Sequence, residues 1–200
     1  MRFMRLLVGL IAVLGLLIGC RQPAPAPPAT ESASSKPAPA QSPVERGKYL
    51  TLVGGCNDCH TPKKFGPEGP EADMTRELSG QPANDKLPKL PAGLIGPGGW
   101  GTIANGHLTA WVTPVGTAFA MNLTPDKAMG LGSWTEEMFV NALRTGKHQG
   151  TGRPILPPMP WNWYRNMTDD DLKAVFAYLR SLPPINNPIP EPLPPAKTSK

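Results

Sequence analysis

The chain has 200 residues, enough for one ordinary domain, and 27 of them are proline. The prolines cluster at Arg21–Pro43 and again at Pro183–Pro195 with no repeat period, the pattern of linkers and tails, so the folded part is expected at 43–190. The formal charge of +5 falls to +3 once Arg2 and Arg5 are lost with a leader, too little to support nucleic-acid binding or charge-driven binding to a membrane surface.

Met1–Arg5 is a short basic segment, followed by thirteen apolar residues, Leu6–Ile18. A mature spanning helix needs about 20 residues, so this run fits the apolar part of a secretory signal. It ends Leu17-Ile18-Gly19-Cys20, which resembles the bacterial lipoprotein signal. That resemblance implies cleavage after residue 19 and lipidation of Cys20. The alternative is an uncleaved anchor in which Cys20 is incidental. Either way the domain is expected outside the cytoplasm, in the periplasm or at the cell exterior, held to a membrane. Residues 20–42 then form a Pro/Ala-rich linker with polyproline II character, and 191–200 a disordered tail.

The first helix is expected at Ser42. Ser42 is a plausible N-cap, Pro43 suits the first helical position and Glu45 completes a capping box. Val44, Leu50 and Val53 share a face up to Gly54-Gly55, and Gly47 permits close approach of another helix.

Cys56-Asn57-Asp58-Cys59-His60 follows. C-x-x-C-H is the spacing of covalent haem attachment. Two thiols two residues apart can reach the two vinyl groups of one haem, and the next residue brings an imidazole to the iron. Its other ring nitrogen should donate to a backbone carbonyl, fixing the tautomer. A redox dithiol needs no histidine there and favours a βαβ setting. A zinc site would need further ligands, and the chain has no second cysteine pair. One motif implies one covalently bound haem c, on Cys56 and Cys59, with His60 as an iron ligand.

From Thr61 to Gly132 the chain is rich in Gly and Pro, with a small hairpin possible around Thr113-Pro114-Val115-Gly116. Ser133-Trp134-Thr135-Glu136 reads as a second capping box. Trp134, Met138, Phe139, Ala142 and Leu143 form an apolar stripe, and Gly146 is a natural terminator. Thr168 and Asp169–Asp171 start the last helix, the aspartates complementing its dipole. Leu172, Val175, Phe176 and Leu179 repeat at helical spacing until Pro183-Pro184.

Helix, C-x-x-C-H, long irregular stretch, helix, loop, helix: this order resembles class I cytochrome c domains. The resemblance implies a mainly α fold, with N- and C-terminal helices packed around one haem and a long irregular Gly/Pro-rich insert. Asn122-Leu123-Thr124-Pro125-Asp126, Gly132-Ser133-Trp134-Thr135, Pro158-Met159-Pro160 and Met167-Thr168-Asp169 look like cytochrome c subunits of membrane-associated bacterial dehydrogenases. The single C-x-x-C-H departs from the multi-haem members.

In such domains the second axial ligand is a methionine in the loop before the last helix. Met159 holds that position, in a stretch stiffened by Pro157, Pro158 and Pro160. Met121 is the alternative, and His107 or His148 would give bis-histidine ligation. Met138 is expected in the core. Trp161, Trp163 and Tyr164 are expected to wall the pocket, and Arg153 is a candidate partner for a propionate.

The resemblance implies an electron carrier and not an enzyme. It would pass electrons from a periplasmic or membrane-associated dehydrogenase to a respiratory acceptor through a His/Met-ligated haem. Two alternatives are an open-site haem protein, sensor or peroxidase-like, and an anchoring subunit whose Pro-rich tail straps it to a dehydrogenase.

Overall fold

The computed structural model describes residues 41–96 and 98–195. The leader, Cys20 and nearly all of the linker lie outside these residues, as does the tail beyond 195. The described part mixes helix and strand.

Helix α1 spans Pro43–Val53. Its capping box is complete: the Glu45 amide donates to Ser42 Oγ at 3.2 Å, and the Ser42 amide to Glu45 Oε2 at 2.9 Å. Helix α5, Asp169–Ser181, starts on Thr168, whose Oγ1 accepts from the Asp171 amide at 3.1 Å. These two helices pack on each other. Gly47 lies against α5 so closely that an added Cβ would meet the Ala174 carbonyl oxygen at 1.9 Å. Arg46 bonds Asp171 at 2.9 Å across the same contact.

Helix α3, Glu136–Thr145, begins two residues later than the sequence pattern suggests, because Thr135 and not Ser133 supplies the cap. Trp134 therefore sits before the helix, yet in the core. Phe139, Ala142 and Leu143 point inward. Met138, expected in the core, is 37% exposed, since it precedes the inward Phe139 by about 100° of helical rotation. Gly146 closes α3 at φ 68°, with its amide on the Ala142 carbonyl.

The core is one cluster built from α3, α5 and loops that precede α3: Leu78, Leu131, Trp134, Phe139, Leu143, Leu172, Phe176 and Leu179, among others. Leu78, Leu131, Leu172 and Leu179 are almost wholly excluded from solvent.

The long Gly/Pro-rich stretch is more ordered than its composition suggests. Strands β1 (Lys63–Gly66) and β2 (Gly69–Ala72) form an antiparallel hairpin, and β3 (Ile103–Ala104), β4 (Ala110–Thr113) and β5 (Gly116–Phe119) form a second small sheet. The β4–β5 hairpin lies where Thr113–Gly116 suggested a turn.

The C-terminal strap does not leave the domain at residue 190. Thr117 and Leu193 exchange both backbone hydrogen bonds, at 2.9 and 3.0 Å, on the free edge of β5. Asn187 Nδ2 donates to the Ser79 and Gln81 carbonyls, and Asn122 Nδ2 to that of Ile185. Proline lacks an N–H and cannot propagate a strand, so side-chain amides and one two-bond bridge hold this segment. Ile185, Asn187 and Leu193 thus tie this segment to the domain.

Asp73 anchors the base of the β1–β2 hairpin. It is 5% exposed and accepts from the Thr75 hydroxyl and amide, from Arg76 and from Lys64. The Thr75 hydroxyl first, then Arg76 and Lys64, hold its carboxyl far below the ordinary range against the opposing effect of burial. A depressed carboxyl contributes stability above its unfolded value, about 4, and loses it as pH falls. Asp73→Asn is expected to cost about 2 kcal/mol at pH 7. The gap from the parent should narrow below about pH 4. Urea titrations at pH 7 and pH 3 test this, and an equal gap at both would refute it.

Candidate functional site

Cys56–His60 forms a short helix, α2, entered through Gly55 in the left-handed region at φ 68°. Gly55 supplies that turn without a Cβ penalty, and the chain swings from the end of α1 directly into the C-x-x-C-H segment.

His60 is 8% exposed. Its Nδ1 lies 2.7 Å from the Met121 carbonyl oxygen. A carbonyl only accepts, so Nδ1 carries the proton and Nε2 keeps its lone pair. Burial lowers the imidazole's affinity for a second proton, and the Met121 bond only partly opposes this. The ring is therefore neutral at pH 7, oriented, and able to ligate through Nε2.

The backbone around it is equally constrained. The Gly80 amide donates to the His60 carbonyl at 2.7 Å, and the Leu78 amide to Thr61 Oγ1 at 2.9 Å. Leu78 sits at φ 56°, uncommon for a residue with a Cβ. Its buried side chain and the bond from the Leu123 amide to its carbonyl hold it there.

Cys56 and Cys59 are both free thiols and half-buried. Burial pushes the Cys56 thiol up to about 11 and raises that of Cys59 as well. A raised value is the opposite of the lowered one that marks a redox dithiol. Cys56 packs on the core beside Leu50, Met121, Leu123, Met159, Trp161 and Tyr164. Two of the expected site residues, Cys56 and Met159, thus border the same apolar cluster.

Tyr164 donates its hydroxyl to the Gly54 carbonyl, two residues before Cys56. Burial raises its phenol to about 12. This bond ties helix α4, Trp161–Tyr164, to the end of α1. Trp161 is half-buried against Gly146, where an added Cβ would meet the indole at 2.4 Å. Trp163, grouped with them by sequence, is 71% exposed and lines nothing.

The other candidates are engaged elsewhere. His107 Nδ1 accepts from the Lys63 amide at 3.1 Å, and its ring stands edge-on to Phe65. His148 packs edge-on against Trp134 at 5.0 Å. Arg153 pairs with Glu191 of the strap at 3.3 Å.

Sequence reasoning missed Lys63. It is 9% exposed, and its ammonium donates to the carbonyls of Asn57, Asp58 and Thr61 at 3.2, 2.9 and 2.8 Å. Nothing in the sequence marks it, because its partners are backbone atoms. Among the described residues no cluster of His, Cys, Asp and Glu converges as an ion site made of side chains alone.

No protein-family model matches the chain. One of the subunits of nicotinate dehydrogenase from Pseudomonas putida is 31% identical over 147 residues, 74% of this chain and 9% of that protein. The fructose dehydrogenase cytochrome subunit of Gluconobacter japonicus is 28% identical over 157 residues, 78% of this chain and 25% of that protein. The gluconate 2-dehydrogenase cytochrome c subunit of Pantoea cypripedii is 30% identical over 135 residues, covering 68% and 22% respectively. The chain thus spans a quarter or less of the length of these curated relatives. Cytochrome c subunits of bacterial dehydrogenases recur among them, a similarity that supports a cytochrome c-like family.

Proposed function

We propose that this chain carries one haem c, that Cys56 and Cys59 would attach it and His60 and Met159 would hold its iron, and that it transfers electrons from a dehydrogenase towards a respiratory acceptor. The observation that carries the reading is the His60 Nδ1–Met121 bond. It leaves Nε2 as the ring's one available lone pair in a segment that also presents two free thiols. This donor set fits haem c.

Bound there, the haem would supply one-electron exchange at its iron. The chain's own residues do the rest. His60 is held in one tautomer. Gly80, Thr61 and Leu78 fix the backbone on either side. Trp161, Tyr164 and Leu123 supply apolar surface that excludes water.

Met159 is favoured over Met121 by the same hydrogen bond. The Met121 carbonyl lies off Nδ1, on the side of the ring facing away from Nε2. Met159 reaches the cluster from a separate loop, next to α4 and α5. Histidine–methionine ligation raises the reduction potential, which suits a mid-chain carrier. The α1–α5 packing is compatible with the class I cytochrome c arrangement, and we extend the proposal to that fold.

A lipid on Cys20 would hold the domain to a membrane on the periplasmic or outer side, on a proline-rich tether. No helix among the described residues is long and apolar enough to cross a membrane.

Absorption spectra of the purified protein test the reading. Sharp reduced bands and a red-edge sulfur-to-iron band in the oxidised form are expected. Met159→Ala should lose the sulfur band while the haem stays attached. A high-spin wild-type spectrum without that band would move an open-site haem protein into first place.

A further inference from the structure

We propose that Lys63 is a positioning residue for the Cys56–His60 segment, and that its ammonium is a fixed buried positive charge favouring the reduced state of the group held there. The inference rests on the haem reading above and deepens it.

A helix of five residues cannot satisfy its own C-terminal carbonyls. Lys63 reaches back to the Asp58 carbonyl, together with Thr61 just beyond, and adds a second donor to Asn57, whose carbonyl also accepts from the Thr61 amide at 3.2 Å. All three ammonium protons are used. A cation at a helix C-terminus is favourable, and the three contacts bracket His60 on both sides in sequence. Next to it, Thr61 Oγ1 donates to Asn57 Oδ1 at 2.6 Å, closing the same turn a second time.

The charge is not cancelled. Lys64, its neighbour, pairs with Asp73, whereas the protons of Lys63 go to neutral carbonyls. Carbonyl dipoles stabilise an ammonium but do not remove its charge. The nearest acid in the segment, Asp58, is exposed and screened by water and salt. Lys63 is 9% exposed, so its field is screened far less. An electron arriving close by is stabilised by that field.

The test compares haem-loaded Lys63→Gln, which keeps two donors and loses the charge, with Lys63→Arg, which keeps the charge. At the wild-type midpoint, the ratio of reduced to oxidised protein should fall about tenfold in Lys63→Gln, equivalent to about 59 mV for one electron. Lys63→Arg should stay within about twofold. A wild-type midpoint in Lys63→Gln, or an equal fall in both variants, overturns the charge assignment.

A second measurement covers poor accumulation of Lys63→Gln. In wild-type protein one lysine ammonium should give a slowly exchanging nitrogen-15 signal that Lys63→Arg lacks, and its absence would overturn the proposal. The positioning role reads without haem: amide exchange at His60 and Thr61 should quicken about tenfold in Lys63→Gln, and unchanged exchange sinks it. Failure of the haem reading shows separately, as wild-type protein that titrates with no haem signal.

Discussion

Gly47→Ala is expected to destabilise the domain by about 3 kcal/mol or more, near the upper end of overpacking effects. The added methyl would lie 1.9 Å from the Ala174 carbonyl oxygen and 2.8 Å from Tyr178 Cβ. Its nearest obstacle is helix backbone, which cannot swing aside as a long side chain does. Relief would require α1 and α5 to separate, exposing Val175 and Tyr178 and stretching the Arg46–Asp171 pair. For a domain of this size each kcal/mol lowers the melting temperature by about 2–4 °C. Thermal unfolding followed by circular dichroism measures it. A variant melting with the parent would show that the helices do not approach each other as described.

The second large effect is at the thiols. In Cys56→Ala/Cys59→Ala the haem should be removable by acidified organic solvent, because no thioether remains, while His60 still provides a coordinate bond. Denaturing electrophoresis with a haem stain should show colour in the parent, colour in each single variant through one remaining thioether, and none in the double variant. Colour persisting in the double variant would place the attachment elsewhere. A parent without colour would reject haem c itself.

Where backbone capping chemistry dominates, the sequence is easily read. Ser42-Pro43-Val44-Glu45 and Thr168-Asp169-Asp170-Asp171 predict starts that α1 and α5 adopt, and Gly146 ends α3 as its position suggests. The pattern fails where two caps compete. Ser133 and Thr135 both satisfy the local rule, and packing of Trp134 into the core selects Thr135. Between residues 61 and 132 only the β4–β5 hairpin is suggested by the sequence; β1, β2 and β3 are hidden because they are only two to four residues long. Periodicity needs a longer window than that.

The candidate site divides in the same way. Cys56, Cys59 and His60 are legible because reactive side chains stand at a fixed spacing. The acceptor for His60 is a main-chain oxygen of Met121, so residue type says nothing about it. Lys63 is hidden for the same reason, and Tyr164 reaches Gly54 through backbone as well. Trp163 shows the converse, a large aromatic beside the site that turns outward.

The pairing of α1 with α5 also brings distant parts of the chain together. The partner of the first helix is the last one, and β5 closes only when Leu193 reaches it. Contacts so distant along the chain carry a loop-closure cost, which slows folding. The Met121 loop, Met159 and Tyr164 are all placed after the thiols in the chain. The Cys56–His60 segment is open in any chain whose C-terminal third has not yet docked. Folding first and modifying afterwards would present a modifying enzyme with a histidine only 8% exposed. Under the haem reading proposed above, attachment before docking meets an accessible segment and attachment after docking a buried one.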